Sequence, residues 1–410
     1  MPSSPLLEEQ EFRGLVDEAR HNSWSPEDVA RLATRLAASG EQMQWNNSIP
    51  VADVASTGGP GSLSTLLAPV WLLASSCRVV KLAVPGRPAG AIDSLATVPG
   101  YRVRLSTDEV RAAVATCGFV HFLTDEKFAP ADAALYQYRR RYGAVAVPSL
   151  AAASLLAKKV AVGVHRVGLD VRLGRHGNFG GSRSEARTHA SIFCAAAQLL
   201  GIDAVAFLSA EDRPAQPWIG RGESLVALAH ALQFRQMNSP EPWLDRHVLD
   251  CWRMAATVAG VSNSVAASDA PPTTALCEAR AAFEAHLASQ GATLHGFLDR
   301  VDMVCSARRQ TVYAQTPGTL LIDLASIRDI LVESQVEARG HEFSDPVGVR
   351  LLAQTGDSVA VGQPIAEVRC STVFCGEKVL ERLSSAFRTQ FTADDSPSER
   401  ASENMEVVRA

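Results

Sequence analysis

From residue 49 to residue 208, short β-branched runs alternate with helical stretches of ten or more residues, which restricts the chain to few architectures. Strand candidates fall at 49–53, 79–84, 119–122, 166–171 and 204–208, and helix candidates at 63–76, 107–116, 132–141, 149–162 and 183–200. Strands separated by helices of that length pair in parallel, because each crossover helix returns the chain to the same end of the sheet. The fold class expected is α/β with α+β: a small helical domain, a mostly parallel sheet flanked by helices, and a C-terminal hammerhead-like α+β domain.

At 410 residues the chain exceeds one ordinary core. Residues 7–40 read as two amphipathic helices, the second opened by Ser25, Pro26, Glu27 and Asp28 as N-cap, first-turn proline and acidic first turn. The expected division is a helical domain at 7–48, completed by part of the middle region, then an α/β domain at 49–305, with helical patterns over 220–302. From 306 to 383 short strands take over, with Gly356-Asp357 and Gly362-Gln363 turns between alternating apolar residues. This stretch resembles a lipoyl-type hammerhead, but no lysine sits at a hairpin tip, so no carrier role is expected. The polar tail at 384–410 is expected to be disordered.

Apolar residues make up 47% and charged residues 20%, the profile of a globular protein in water. A net charge of -5 gives no electrostatic reason to expect nucleic acid or an anionic membrane as partner. The first twelve residues carry acids and no apolar core of a leader, so no signal peptide is expected. The longest apolar run, near 66–75, is too short to span a bilayer. Eight scattered cysteines match no zinc or disulfide framework, so reduced thiols, no metal and a cytoplasmic setting are expected.

Two segments carry chemistry. The strand at 49–53 runs into Ser56-Thr57-Gly58-Gly59-Pro60-Gly61-Ser62 and then a helix. Glycines let successive backbone N–H groups face one concavity, the helix N-terminus adds positive potential, and Ser56, Ser62, Ser64 and Thr65 add hydroxyls for an anion. The turn is neither a Walker A loop nor a GxGxxG fingerprint, and a capped βα turn explains it equally. In the second segment Ser154 and Lys158 stand four apart on one helix face, with Tyr136 and Arg139 on the helix before. Two cations, a hydroxyl and an aromatic suit a flat ring that leaves as an anion, because fixed charge stabilises developing charge without reorganisation. Solvated helix charges are the plain alternative, since Arg139 belongs to the run Arg139-Arg140-Arg141.

Taken together, the motifs resemble the thymidine/pyrimidine nucleoside phosphorylase family. VADVASTGGPGSLST is similar to the family's DKHSTGGVGDxxS segment, and Pro85-Gly86-Arg87 to its SGR turn. Ile92-Asp93-Ser94-Leu95 with Val98-Pro99-Gly100 resembles LDKLESIPG. Ala129-Pro130-Ala131-Asp132 matches APAD, Ala153 to Lys159 matches ASILAKK, and Leu169 to Gly174 resembles MDVKVG. The stretch from Ser344 to Arg369 is similar to the family's closing α+β domain.

The resemblance implies cleavage of the C1′–N1 bond of a pyrimidine nucleoside or nucleotide, with no cofactor and phosphate as candidate co-substrate. It implies that Arg139, Ser154 and Lys158 hold the pyrimidine edge beside Tyr136, with Arg139 and Lys158 catalytic. Ser56, Gly58, Gly59, Ser64 and Thr65 form the phosphate or acceptor region. It further implies a homodimer and a cleft that closes over its ligands. The departures lie on the acceptor side. Val54 replaces the family's phosphate lysine, Ala55 the adjacent histidine, Pro85 the serine before Gly-Arg, and Ala91 a threonine after a shortened loop. Lys81 and His176 are candidate substitutes. Arg87 reads as structural, His121 as a core or cleft-wall residue, and Glu211-Asp212 as loop acids at a strand end. Three functions follow: a phosphorylase-type glycosyl transfer with an eroded phosphate site, a phosphate-independent hydrolase or transferase, and a catalytically silent pyrimidine-binding protein.

Overall fold

The computed structural model describes residues 9–46, 48–86, 90–173, 179–210, 214–235, 241–261, 270–338, 342–370, 377–390 and 405–410. The first half runs α1 (Glu9–His21), α2 (Pro26–Ala37), β1 (Ala52–Ser56), α3 (Ser64–Ala74), β2 (Val79–Ala83), α4 (Ala91–Leu95), α5 (Thr107–Cys117) and β3 (Phe119–Leu123). It continues through α6 (Pro130–Arg141), α7 (Pro148–Ala161), β4 (Arg166–Leu173), α8 (Arg183–Leu199) and β5 (Asp203–Ala210). Next come β6 (Trp218–Ile219), α9 (Arg221–Ala231), α10 (Pro242–Ala259), α11 (Thr273–Ser289) and α12 (Leu294–Ser306). The remainder is β7 (Arg309–Tyr313), β8 (Gly318–Ile322), α13 (Leu324–Glu337), β9 (Val347–Leu351), β10 (Ser358–Val359), β11 (Pro364–Cys370), α14 (Glu377–Ser385), β12 (Phe387–Gln390) and β13 (Glu406–Val408).

Local sequence explains the helix starts. Ser25 with Asp28, Ser106 with Glu109, and Ser182 with Glu185 close reciprocal capping boxes on α2, α5 and α8. β4 pairs in parallel with β1 on one side and β5 on the other. β2 pairs in parallel with β3 and meets the first sheet through one parallel bridge, Val51 to Arg78. The α/β half is therefore mostly parallel, as the alternation predicts. One core packs α1, α2, α6, α7 and α8 together and against one face of the strands, and a second packs α3, α9, α10, α11 and α12. Among the described residues no helix is long and apolar enough to cross a membrane.

Strands β7 to β12, joined by β6 from before α9, form two antiparallel sheets, ordered β6-β9-β11-β7 and β10-β8-β12, around a third core. Glu223 of α9 ties this part to the rest. Its buried carboxylate accepts from Arg369 at 2.7 Å and from Arg309 at 3.2 Å. Burial opposes its charge, yet the two guanidiniums outweigh burial and hold it below the usual glutamate range. Gly348 permits the approach: a Cβ there would stand 1.8 Å from the Glu223 Oε2.

The expectations need three corrections. β1 begins at Ala52, because Pro50 and Val51 serve instead as the junction to Arg78 on the neighbouring strand. The tail expected to be disordered contributes β12 and β13. β13 pairs antiparallel with the exposed edge of β5, and Glu406 is held by Arg183 at 2.8 Å and Arg187 at 2.6 Å. The three residues of β13 are too few to register as a strand in sequence, but an open sheet edge selects them. Cys370 is disulfide-bonded, against the expectation of eight reduced thiols, whereas Cys77, Cys117, Cys194, Cys251, Cys277 and Cys305 are free.

Candidate active site

A cleft of about 640 Å³ opens at the C-terminal ends of β1 and β2, where ligands bind in open parallel sheets. Its opposite wall comes from α6 and α7, and Arg328, Asp329 and Val332 of α13 close a third side. Tyr136, Arg139, Ser154 and Lys158 all line it, facing Ser56, Gly58, Gly59 and Thr65 of the glycine turn. The two segments singled out in the sequence thus meet across one space.

The α6–α7 wall is more heavily paired than residue types alone suggest. The Lys158 Nζ donates to the Asp132 Oδ2 at 2.6 Å and to the Ser154 Oγ at 3.0 Å, and all three side chains are buried. Burial lowers the Lys158 pKa, and Asp132 offsets part of that. Arg139 is also buried. Its Nε donates to the Ala144 carbonyl at 3.1 Å, and its terminal nitrogens donate to Val145 at 2.7 Å and Leu150 at 3.2 Å. It holds the turn between α6 and α7 in shape while it lines the cleft. Arg140, its exposed neighbour, lines the cleft as well.

On the turn, Gly58, Gly59 and Gly61 adopt φ of +113°, +106° and +91°, a region that L side chains rarely enter, which explains why glycine recurs here. The serine hydroxyls, however, bond to a carboxylate behind the turn, although Ser56 and Ser62 still line the cleft. Asp170, fully buried on β4, accepts from the Ser64 Oγ at 2.8 Å, the Ser62 Oγ at 3.0 Å and the Ser209 Oγ at 2.9 Å. Ser56 stands 3.5 Å from the same carboxylate and accepts the Gly58 N–H at 3.2 Å. Ser64, expected in the acceptor region, does not line the cleft at all. A carboxylate behind the turn draws its serine hydroxyls away from an incoming anion.

The floor of the cleft is cationic by a different route. Asp53 of β1 is fully buried and pairs with both Lys81 of β2, at 2.6 Å, and Lys159 of α7. Burial opposes the Asp53 charge, but the two ammoniums win and hold it below the usual range. Lys81 also donates to the Val54 carbonyl at 2.7 Å. Burial drags its pKa down, Asp53 pulls it back, and it settles at about 8. His121, the β3 register partner of Lys81, lines the same cleft. Neither of its ring nitrogens has a hydrogen-bond partner, and burial first and Lys81 second push its pKa well below the usual value.

His176, Arg87, Glu211 and Asp212 lie outside the described residues. Ala55 and Ala91 line the cleft, while the Val54 side chain is wholly buried in the second core. His121, read from sequence as a core or cleft-wall residue, does line the cleft, whereas Asp53, Asp132 and Lys159 carry no site role in the sequence reading. Their signal was a charged or titratable residue inside an apolar strand or helix, which must find a partner or a ligand when buried. Among the described residues no group of three His, Cys, Asp or Glu side chains is placed to hold a metal ion.

No protein-family model matches the chain. It is 26% identical over 397 residues to a thymidine phosphorylase of Sinorhizobium medicae, covering 92% of this chain and 86% of that protein. A thymidine phosphorylase of Agrobacterium fabrum is 26% identical over 392 residues, at 92% and 86% coverage. The human thymidine phosphorylase is 30% identical over 215 residues, covering 51% of this chain and 42% of its own. Among solved structures, an anthranilate phosphoribosyltransferase of Thermus thermophilus matches with a TM-score of 0.48 at 15% identity, over 72% of this chain and 95% of that one. The cleft between a parallel sheet and a helical wall, with relatives aligned along nearly the whole chain, defines an enzyme of pentosyltransferase type. Within that class, the relatives that align along most of this chain are thymidine phosphorylases, to which it is similar at 26–27% identity.

Proposed function

We propose that the chain catalyses glycosyl transfer from a pyrimidine nucleoside, breaking the C1′–N1 bond. The observation that supports this most is the convergence of Tyr136, Arg139, Ser154 and Lys158 on one cleft, opposite the glycine turn. The bonding pair of C1′–N1 stays on N1, and the base leaves as an anion. The positive charge of Lys158 and Arg139 stabilises that anion, while Ser154 and Tyr136 orient the ring. An oxygen of the acceptor forms the new bond to C1′. With phosphate as acceptor the product is a sugar 1-phosphate; with water it is the free sugar. In this reading the helical part, residues 7–48 with part of the middle region, forms one jaw, and the enzyme works as a cytoplasmic homodimer.

The withdrawal of Ser62 and Ser64 onto Asp170 favours a second reading, in which the transfer no longer uses the turn for phosphate. Base release from thymidine, uridine and deoxyuridine, measured with and without phosphate or arsenate, separates the two. Phosphate-dependent release is the expected result, and release without phosphate selects water or another acceptor. Lys158→Met should lower kcat/KM by about two decades through loss of a charge at the leaving group. Pyrimidine binding without release from any of the three would select a silent binding protein, and neither binding nor release would overturn the pyrimidine reading.

A further inference from the structure

Resting on the reading of a nucleoside-cleaving cleft, we infer that Lys81 and His121 form its oxyanion subsite. They would hold a tetrahedral anion of inorganic phosphate size from β2 and β3 rather than from the glycine turn. Four observations converge on this pair. Lys81 and His121 are register partners on parallel strands, so their side chains project from the same face of the sheet. Both line the cleft alongside Ser56, Gly58, Gly59 and Thr65. The Lys81 Nζ reaches the Val54 carbonyl, which places an ammonium against the stretch of β1 that enters the turn. His121 is 1% exposed and both its ring nitrogens are unpartnered.

An unpaired imidazole in an apolar strand is expensive to keep, since a buried donor or acceptor without a partner costs about 1–3 kcal/mol. A bound ligand removes that cost, and leucine would remove it equally if the residue served packing alone. The electrostatics agree with an anion. Lys81 and Lys159 share the single carboxylate of Asp53, so the floor holds more positive than negative charge. Two of the three Lys81 N–H groups donate to Asp53 and Val54. The third, with the N–H of a neutral His121, gives two donors converging on one oxyanion. The turn hydroxyls need not move from Asp170 for this to work.

The test is calorimetric titration of the full chain with inorganic phosphate alone, repeated on Lys81→Met and His121→Leu, with uracil titrated in parallel. Lys81→Met keeps the side-chain stem and leaves Asp53 paired with Lys159. His121→Leu should fold with an equal or higher Tm. The expected result is phosphate binding by the unaltered chain, weakened at least about tenfold in each variant. Unchanged phosphate affinity in both folded variants overturns the subsite. So does absence of phosphate binding to the unaltered chain at millimolar concentration. The uracil titrations report separately on the pyrimidine wall: loss of uracil binding with phosphate binding intact sinks the nucleoside reading and leaves the anion subsite standing.

Discussion

Removing the carboxylate of Asp132 would leave the Lys158 ammonium buried against Ser154 without a counter-charge, because Asp132 is itself fully buried 2.6 Å away. Breaking a buried pair from one side is far more costly than never having built it, at about 3–5 kcal/mol. Asp132→Ala is therefore expected to lower unfolding free energy by roughly 3 kcal/mol, read from urea denaturation, and to push the Lys158 pKa further down. An unchanged denaturation midpoint would mean that Lys158 finds water instead. Lys158 was legible from its spacing to Ser154, since residues four apart share a helix face. Its partner was not, because Asp132 lies on a different helix and only folding brings the two together.

At the scale of elements, the strand–turn–helix unit of β1 and α3 was readable because glycine, a following helix and an apolar strand each leave a local mark. The fate of its hydroxyls was not. Ser62 and Ser64 reach Asp170 across more than a hundred residues of chain, a pairing that no local period encodes. The same holds for β13, whose partner β5 lies two hundred residues earlier. Local backbone demands, by contrast, lead to a direct expectation at Gly61. A Cβ there would meet nothing nearer than 3.6 Å, so space is available and only the φ of +91° opposes a side chain. Gly61→Ala should then cost about 1–2 kcal/mol from conformation alone, measured by thermal or urea unfolding. A loss much above that would reveal a steric role that the geometry does not contain.

For the molecule as a whole, acid is the condition that should hurt most. His247 and His286 are fully buried, and burial lowers the pKa of each to about 3, while burial and Lys81 push His121 well below the usual value. In the unfolded chain these rings take up protons near their ordinary pKa of about 6.5, so the unfolded state binds more protons between pH 6.5 and 3. Stability from neutral imidazoles is complete above that window and declines as pH falls through it. Between pH 6.5 and 5 the loss is up to about 2 kcal/mol for each of His247 and His286, at roughly 1.4 kcal/mol per pH unit, and His121 adds in the same direction. Urea midpoints at pH 7 and pH 5 measure it, and equal midpoints would show that these histidines open to water before the chain unfolds. The carboxylate of Asp53 has a consequence at this same scale. It grips one ammonium from the sheet and another from α7, so the two jaws are pinned together at the base of the cleft. Parting the sheet from α7 along its whole depth would break one of these ion pairs, so a widening that keeps both turns α7 about this point, with the travel growing toward the rim.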